Sequence, residues 1–158
     1  MKERKHHYAV TVAWTGNRGT GTSAYGAYER SHEMLADERP PIAGSSDPAF
    51  RGDVTRWNPE LLLLAALSAC HKLTYLHLCA ASGVIVTKYL DEAQAVMIET
   101  LDGRGRFERA LLRPKVTISA GSDPQLAKSL HAAAHEACFI ANSVNFTVEH
   151  EATVDVES

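Results

Sequence analysis

The feature that most constrains the fold is a long apolar segment that begins after Asn58 and ends near Gly83. Asn58 supplies a capping side chain, Pro59 suits the first helical position, and Glu60 lies where the helix dipole is positive. The run LLLLAALSACHKLTYLHLCAAS predicts a helix of about 24 residues, roughly 36 Å long at the usual rise per residue. Because this helix is apolar nearly all round, we expect it to be central, with the rest of the chain wrapped around it.

Length and composition limit the kinds of protein this chain can be. Its 158 residues amount to one domain, so we expect a single domain over residues 1–158 with one site. The 45% apolar and 22% charged residues are typical of a globular chain with a real core. The net charge of -3, with no long run of one sign, argues against a nucleic-acid partner.

The cysteine count and the start of the chain bear on the compartment. Three cysteines cannot all pair in a secreted disulfide scaffold, and the start MKERKHHYAV has no apolar stretch behind it. We therefore expect a reducing, cytoplasmic compartment. The apolar helix carries His71, Lys72 and His77, each costly in hydrocarbon, so we expect it to be buried in protein and not to cross a membrane.

The other periodic segments predict an α+β order of two strands, a helix, several strands, a second helix and a closing strand. Residues 8–14 and 22–30 predict an opening hairpin, and residues 38–56 a long irregular loop. Further strands are expected at 84–89, 94–101, 107–112 and 115–120. The second helix opens at Ser122 and continues to about Ile140, and the closing strand lies within 144–156 with a shift of face between its halves.

Cys70 lies in mid-helix, where a lone cysteine is usually a small buried hydrophobe. Polar residues around it, and Cys138 on the second helix, favour a redox function instead. Cys79 is a poor partner for Cys70, since nine residues of helix separate the two by ~13 Å along the axis and about half a turn around it. This leaves Cys138 as the mate for Cys70, and Cys79 is expected to pack in the core.

A zinc site is the alternative use of these residues. His131, His135 and Cys138 fall at i, i+4 and i+7 on one stripe of the second helix, and histidines four apart suit zinc. A fourth ligand would have to come from Cys70 or His71. No CxxC or HExxH motif supports this alternative.

Three segments, SDPAF, WNPELLLLAALSAC and HEACFIANS, resemble the OsmC and organic hydroperoxide resistance family of thiol peroxidases. The specific part is an Asn-Pro-Glu helix start ten residues before the first cysteine, combined with a second cysteine late in a second helix and a following Asn-Ser. The resemblance spans most of the chain. It implies an α+β OsmC-like fold: an intertwined homodimer in which curved, antiparallel-rich sheets wrap the central helices, with active sites at the subunit interface.

The resemblance also implies roles for individual residues. Cys70 matches the peroxidatic thiol, Cys138 the resolving thiol and Glu60 the helix-start glutamate. The implied reaction reduces organic hydroperoxides to alcohols in defence against oxidative stress. Cys70 becomes a sulfenic acid, Cys138 condenses with it to a disulfide, and an external thiol or dithiol restores the pair. This chemistry requires no metal and no organic cofactor. His71, directly after the first cysteine, departs from the commonest family pattern.

The family also places an arginine beside the thiolate, because a guanidinium favours the charged sulfur without losing its own charge. The hydroperoxide resistance branch takes it from the first hairpin turn, where GNRG offers Arg18. The OsmC branch takes it from just before the central helix, where AFRGDVTRWNPE offers Arg51 and Arg56. Arg56 stands too close to the helix start to fold back over a thiol ~15 Å away. We favour Arg51, with Arg18 second, and Glu60 would orient the guanidinium by a bidentate pair.

Two rival functions belong to other classes. One is an OsmC-fold binding protein that holds an apolar ligand or a metal without peroxidase turnover, and the other is a structural dimer without chemistry. Zinc content with thiol counting tests the metal version of the first, and the reactivity of Cys70 toward alkylation tests the second. The aromatic residues Trp57, Tyr75 and Phe139 are candidates to line a pocket that prefers an apolar peroxide.

Overall fold

The computed structural model describes residues 3–158, which form nine strands, two α-helices and two short 3-10 helices. One compact unit ends at Leu62, and a second spans Leu63–Ser158. The strands are β1 Thr11–Trp14, β2 His32–Leu35, β3 Ile42–Gly44, β4 Val86–Asp91, β5 Gln94–Glu99, β6 Gly105–Leu112, β7 Pro114–Ile118, β8 Thr147–His150 and β9 Thr153–Val156. The helices are α1 Pro59–Ala81 and α2 Pro124–Glu136, with 3-10 turns at Pro48–Phe50 and Ala141–Ser143. This order confirms the predicted α+β class.

The first unit is built on an antiparallel sheet with the order β1-β2-β3. In the long turn between β1 and β2, Asn17 Oδ1 accepts hydrogen bonds from the N–H groups of Gly19 and Gly21 at 2.8 and 3.0 Å. Both glycines have positive φ, 103° and 56°, a conformation that side chains disfavour. The predicted opening hairpin is present, but its second strand is His32–Leu35, so the prediction of a strand at 22–30 is wrong.

Residues 22–30 are not a strand because their tyrosines hold an arginine. The guanidinium carbon of Arg30 lies 4.3 Å from the ring centroid of Tyr25 and 4.2 Å from that of Tyr28. Arg30 Nη1 also donates a hydrogen bond to the carbonyl of Tyr28 at 2.7 Å. These local interactions occupy the backbone and the aromatic rings that a strand would use.

The structure corrects two other predictions for this unit, the start of the first strand and the content of the long loop. The first strand, expected over 8–14, begins at Thr11, and Tyr8 is 92% exposed. The loop expected to be irregular over 38–56 contains β3, which pairs with β2, and a 3-10 turn whose start is capped by the side chain of Asp47. Most of the loop has no regular structure, as the sequence predicts.

α1 begins and ends where the sequence predicts. Asn58 Oδ1 accepts a hydrogen bond from the N–H of Leu61 at 2.8 Å. The helix ends at Ala81, and Gly83 follows with φ 77°, the left-handed conformation that commonly closes a helix.

The burial of α1 differs from the prediction. One face is buried, at every fourth position: Leu67, His71, Tyr75 and Cys79. On the opposite face Leu73 is 63% exposed, and Leu61 in the first turn is exposed as well. The expectation of a helix covered on all sides is therefore wrong for a single chain. By length and composition alone α1 is also long and apolar enough to cross a membrane, a property it shares with core helices of soluble proteins.

The second unit contains two sheets, with strand orders β4-β7-β9 and β5-β6-β8. The pairs β4·β7 and β5·β6 are antiparallel, whereas β9 runs parallel to β7 and β8 parallel to β6. The predicted closing strand is therefore two strands that join different sheets, and the expected shift of face is the passage from one sheet to the other. One apolar cluster packs around Tyr75 and Cys79, and a second around Leu67.

α2 begins as predicted but ends early. Asp123 Oδ1 accepts hydrogen bonds from the N–H groups of the first turn, and Pro124 takes the first helical position. The helix ends at Glu136, so the prediction of helix to about Ile140 is wrong. The chain folds back so that the Asn142 side chain donates a hydrogen bond to the carbonyl of Glu136 at 2.9 Å. This bond satisfies an acceptor at the helix end that a further helical turn would otherwise pair. Cys138 consequently lies just beyond α2.

Candidate active site

The structure brings the two predicted redox thiols together. Cys70 projects from α1 and Cys138 from the segment after α2, and their sulfurs are close enough to interact. Both are free thiols. Their exposure differs, because Cys70 is half-buried while only 1% of Cys138 is accessible. A reagent from solution therefore reaches Cys70 more easily than Cys138.

The surroundings of Cys138 keep it a neutral thiol. Burial raises its pKa above the ordinary value, and the neighbouring Cys70 raises it further. Backbone N–H groups of Ala141 and Ile140 near the sulfur lower the pKa and offset part of this effect. A buried neutral thiol is a poor nucleophile toward solvent peroxide, yet it can condense with a sulfenic acid that forms beside it.

Cys79 lies away from this pair. It is buried with Tyr75 and Val84 in an apolar cluster. Burial raises the pKa of its thiol, so it stays protonated at neutral pH. The prediction that Cys79 packs in the core is confirmed.

Glu60 lies in the first turn of α1, and one of its carboxylate oxygens has no hydrogen-bond partner among residues 3–158. Its Oε2 is buried and accepts no hydrogen bond from any residue within 3–158. A buried unpaired acceptor costs about 1–3 kcal/mol. This oxygen can accept a hydrogen bond from a guanidinium, but the proposed pairing with an arginine stays a prediction.

The three arginines considered from the sequence have other neighbours. Arg18 forms an ion pair with Glu29 and is exposed. The exposed Arg51 has φ 65°, and its guanidinium carbon lies 5.8 Å from the ring centroid of Tyr25. Arg56 contacts Asp53 at 3.6 Å. None of these contacts tests which arginine acts on Cys70, so the preference for Arg51 stays a prediction.

Arg30 was not among the arginines predicted from the sequence to act on the thiol. Besides its two tyrosine contacts, this side chain has a buried Nη2 that donates to no residue within the described 3–158. Arg30 lines a pocket of about 370 Å³ in the first unit, together with Pro59, the neighbour of Glu60. The spacing of Tyr25, Tyr28 and Arg30 was the available signal, because a guanidinium commonly lies over aromatic rings.

A histidine cluster lies in the second unit, on the buried face of α1. His71 Nε2 and His131 Nδ1 share a hydrogen bond of 3.0 Å. Tyr75 stacks on His131 with ring centroids 3.8 Å apart, and His150 lies 5.6 Å from His71 by the same measure. His135 in turn lies 5.5 Å from His150.

Burial keeps this histidine pair neutral. Burial, with a smaller contribution from the neighbouring histidines, lowers the pKa of His71 to about 4 and that of His131 to about 3. His71 Nδ1 and His131 Nε2 contact no hydrogen-bond partner in the described chain. The zinc alternative grouped His131, His135 and Cys138 with Cys70 or His71, whereas no group of three or more His, Cys, Asp or Glu in residues 3–158 is placed to hold a metal ion.

The chain is thus an α+β protein with a half-buried and a buried thiol near each other. Its relatives identify it further. Residues 52–153 match the family model described as OsmC-like protein, and the chain belongs to this family. The comparison with curated proteins finds no significant match.

Solved structures agree with this assignment. An OsmC-like protein of unknown function from Vibrio cholerae is 30% identical, with a TM-score of 0.85 over 94% of this chain and 100% of its own. An OsmC-like protein from Mycoplasma pneumoniae is 16% identical, with a TM-score of 0.73 over 96% and 99% of the two chains. An organic hydroperoxide resistance protein from Elizabethkingia anophelis is 18% identical, with a TM-score of 0.67 over 98% and 100%. The last two similarities show the fold alone.

Proposed function

We propose that this protein is a cysteine-based peroxidase that reduces organic hydroperoxides to alcohols. The observation that carries the proposal is the pairing of the half-buried Cys70 with the buried Cys138, whose sulfurs are close enough to interact. Membership of the OsmC-like family and the fold shared with organic hydroperoxide resistance proteins support it. The proposed role is defence against oxidative stress in the cytoplasm.

The proposed cycle has three balanced steps. The Cys70 thiolate attacks the distal oxygen of the hydroperoxide, the O–O bond breaks, and the alkoxide takes a proton to leave as an alcohol. Cys70 is then a sulfenic acid, and the Cys138 thiol condenses with it to form the disulfide and release water. Two equivalents of an external thiol, or one dithiol, reduce the disulfide and are themselves oxidised to a disulfide.

A nearby cation would favour the attacking thiolate. We propose an arginine for this function, with Arg51 first and Arg18 second, because a guanidinium stays charged at every working pH. Arg30 joins this comparison because its Nη2 is buried and has no partner within residues 3–158. Glu60 Oε2 is a suitable acceptor for such a guanidinium.

We also propose that the working form is a homodimer. Many large apolar side chains are exposed in a single chain, among them Val10, Leu61, Leu73, Ile85, Leu90 and Phe139. Such surfaces are typical of protein interfaces and are rare on monomers. A second copy would cover the exposed face of α1.

Thiol counting tests the peroxidase proposal. One equivalent of cumene hydroperoxide should remove two thiols per chain and lower the intact mass by the two hydrogens of a disulfide. Cys70→Ser should abolish peroxide consumption. Cys138→Ser should permit one oxidation and leave Cys70 open to sulfinic acid on further addition. Cys79→Ser is the matched control and should behave like the wild type. Loss of turnover in the Cys79 variant, with turnover retained in the Cys138 variant, would refute the assignment of the resolving thiol.

A further inference from the structure

The packing of α2 on α1 contains few directional contacts. The apolar contacts come from Tyr75 and Leu76 on α1 and from Ala127, Leu130 and Ala134 on α2, in one core cluster. Apolar burial is non-directional, so by itself it favours contact between the helices without selecting one alignment sharply. Hydrogen bonds fix an alignment much more sharply, because their strength depends on distance and angle. Two side-chain hydrogen bonds join the helices: the Tyr75 hydroxyl donates to the carbonyl of Ala127 at 3.1 Å, and His71 bonds to His131 at 3.0 Å.

The histidine bond is close in sequence to both thiols. His71 directly follows Cys70 on α1, and His131 precedes Cys138 by seven residues. His131 and Ala134 are buried on one side of α2, and the buried Cys138 lies two residues beyond its end, where its N–H donates to the carbonyl of His135 at 3.2 Å. A shift of α2 along or around α1 would therefore move Cys138 relative to Cys70 together with His131 relative to His71.

We propose that His71 and His131 are positioning residues for the disulfide: their buried hydrogen bond holds α2 on α1 in the alignment that brings Cys138 against Cys70. This alignment would serve the resolving step of the peroxidase cycle, and its biological use rests on that proposed function. The disulfide itself can be formed without any hydroperoxide, so the two proposals can fail separately.

The chemistry of the pair favours specificity over stability. Two tightly packed apolar side chains would leave no unpaired atoms here, whereas the histidines leave His71 Nδ1 and His131 Nε2 without partners among residues 3–158. A polar pair in a core is a poor source of stability, but it penalises every arrangement in which its members separate. The bond also exists only while at least one ring can accept, so double protonation breaks it.

The groups that face the pair supply no negative charge. Tyr75 of α1 stacks on His131, and the nearby titratable rings are His135 of α2 and His150 of β8. Tyr89 of β4 lies behind Tyr75, with ring centroids 6.1 Å apart. With no carboxylate among these neighbours, protonation of the pair is uncompensated, and the alignment should fail in acid.

The test is the equilibrium of the full chain with reduced and oxidised glutathione. Two protein thiols and one oxidised glutathione give the protein disulfide and two reduced glutathiones, so the equilibrium constant reports the effective concentration of one thiol at the other. Acid-quenched samples are read by intact mass, which separates reduced chain, disulfide and mixed disulfide. The Cys79→Ser background removes the third thiol.

Three variants separate positioning from structural support. His131→Phe keeps a ring to stack on Tyr75 but removes the hydrogen bond, and the equilibrium constant should fall at least tenfold. The double variant H71L/H131F replaces the pair by apolar side chains, and it should match or exceed the wild type in resistance to urea while keeping the lowered constant. Tyr89→Phe removes another buried polar atom from the same aromatic group and should leave the constant unchanged.

The pH dependence gives a second readout. The wild-type constant should fall as the pH drops through the pKa values of the pair, about 4 and about 3, and that of H71L/H131F should stay flat, because neutral thiols make the exchange equilibrium itself independent of pH. A double variant that folds and keeps the wild-type constant overturns the inference, and so does a wild-type chain that forms no Cys70–Cys138 disulfide at any glutathione ratio. A wild-type chain that forms this disulfide but ignores hydroperoxides refutes the peroxidase and leaves the positioning role intact.

Discussion

Mild acid should destabilise this protein through its two buried histidines. His71 and His131 are neutral in the fold, with pKa values of about 4 and about 3 against an ordinary value of 6.5. In the unfolded chain the pKa of each ring returns to its ordinary value. Below pH 6.5 the unfolded state therefore binds more protons than the folded state, so stability that is fully present above that pH is lost as the pH falls toward the folded pKa values.

The size of the effect follows from the two protons. Each group that is neutral when folded and charged when unfolded changes the unfolding free energy by about 1.4 kcal/mol per pH unit. Two such groups approach about 3 kcal/mol per unit once both rings are mostly charged in the unfolded chain, so acidification from pH 7.5 to 5 should cost roughly 4 kcal/mol. That is a large share of the 5–15 kcal/mol that holds a typical domain together. Burial also lowers the pKa of His150, which steepens the dependence.

Carboxyl groups do not interfere in this window. Asp53, Glu92 and Asp102 have pKa values below their ordinary range, because side-chain hydrogen bonds favour the charged forms. Their contribution is present above the ordinary carboxyl pKa and is lost only as the pH falls below about 4. The interval from pH 6.5 to 5 therefore reports on histidines.

The assay is urea unfolding followed by far-UV circular dichroism, at a fixed protein concentration and half-unit steps from pH 7.5 to 5. The wild type should lose stability steeply below pH 6.5, and H71L/H131F should lose much less, keeping only the part that His150 contributes. His77→Ala, which removes an exposed histidine from the same helix, should follow the wild type. If the unfolding free energy of the wild type and of the double variant falls equally with pH, the reasoning is refuted. The histidine pair would then bind protons while the protein is still folded.

Two further predictions concern the thiolate and the assembly. Arg51→Ala should slow iodoacetamide alkylation of Cys70 several-fold at pH 7, because loss of a nearby cation disfavours the thiolate. If Arg51→Ala leaves the rate unchanged and either Arg18→Ala or Arg30→Ala slows it, the arginine whose loss slows alkylation has this role. Light scattering at low micromolar concentration should give about twice the 17.2 kDa of one chain, since exposed apolar surface favours association, and a clean monomer would exclude the homodimer.

Local signals made part of this protein predictable. The start of α1 needed only Asn58 and Pro59, whose side chains act within one turn. The separation of Cys70 from Cys79 follows from helix geometry, which also left Cys138 as the partner that the structure places nearby. The α+β class follows from the order of periodic segments.

The parts that could not be predicted depend on distant residues. α2 ends at Glu136 because Asn142 returns to cap it, and nothing within the helix marks that end. His131 was considered as a zinc ligand with its own helix neighbours, whereas it bonds to His71, 60 positions earlier in the chain. Arg30 was overlooked because the aromatic run around it also fits a strand.

The parallel strands place a constraint on insertions and deletions. β6 pairs with β8 through Arg109 and Thr147, and β7 pairs with β9 through Lys115 and Thr153, so both ladders join residues 38 positions apart. A single crossover that contains α2 therefore sets the register of two different sheets. One uncompensated residue gained or lost there would turn the inner side chains of both strands outward. Length variation among related sequences should consequently avoid α2 and appear in hairpins such as the one that joins β5 to β6.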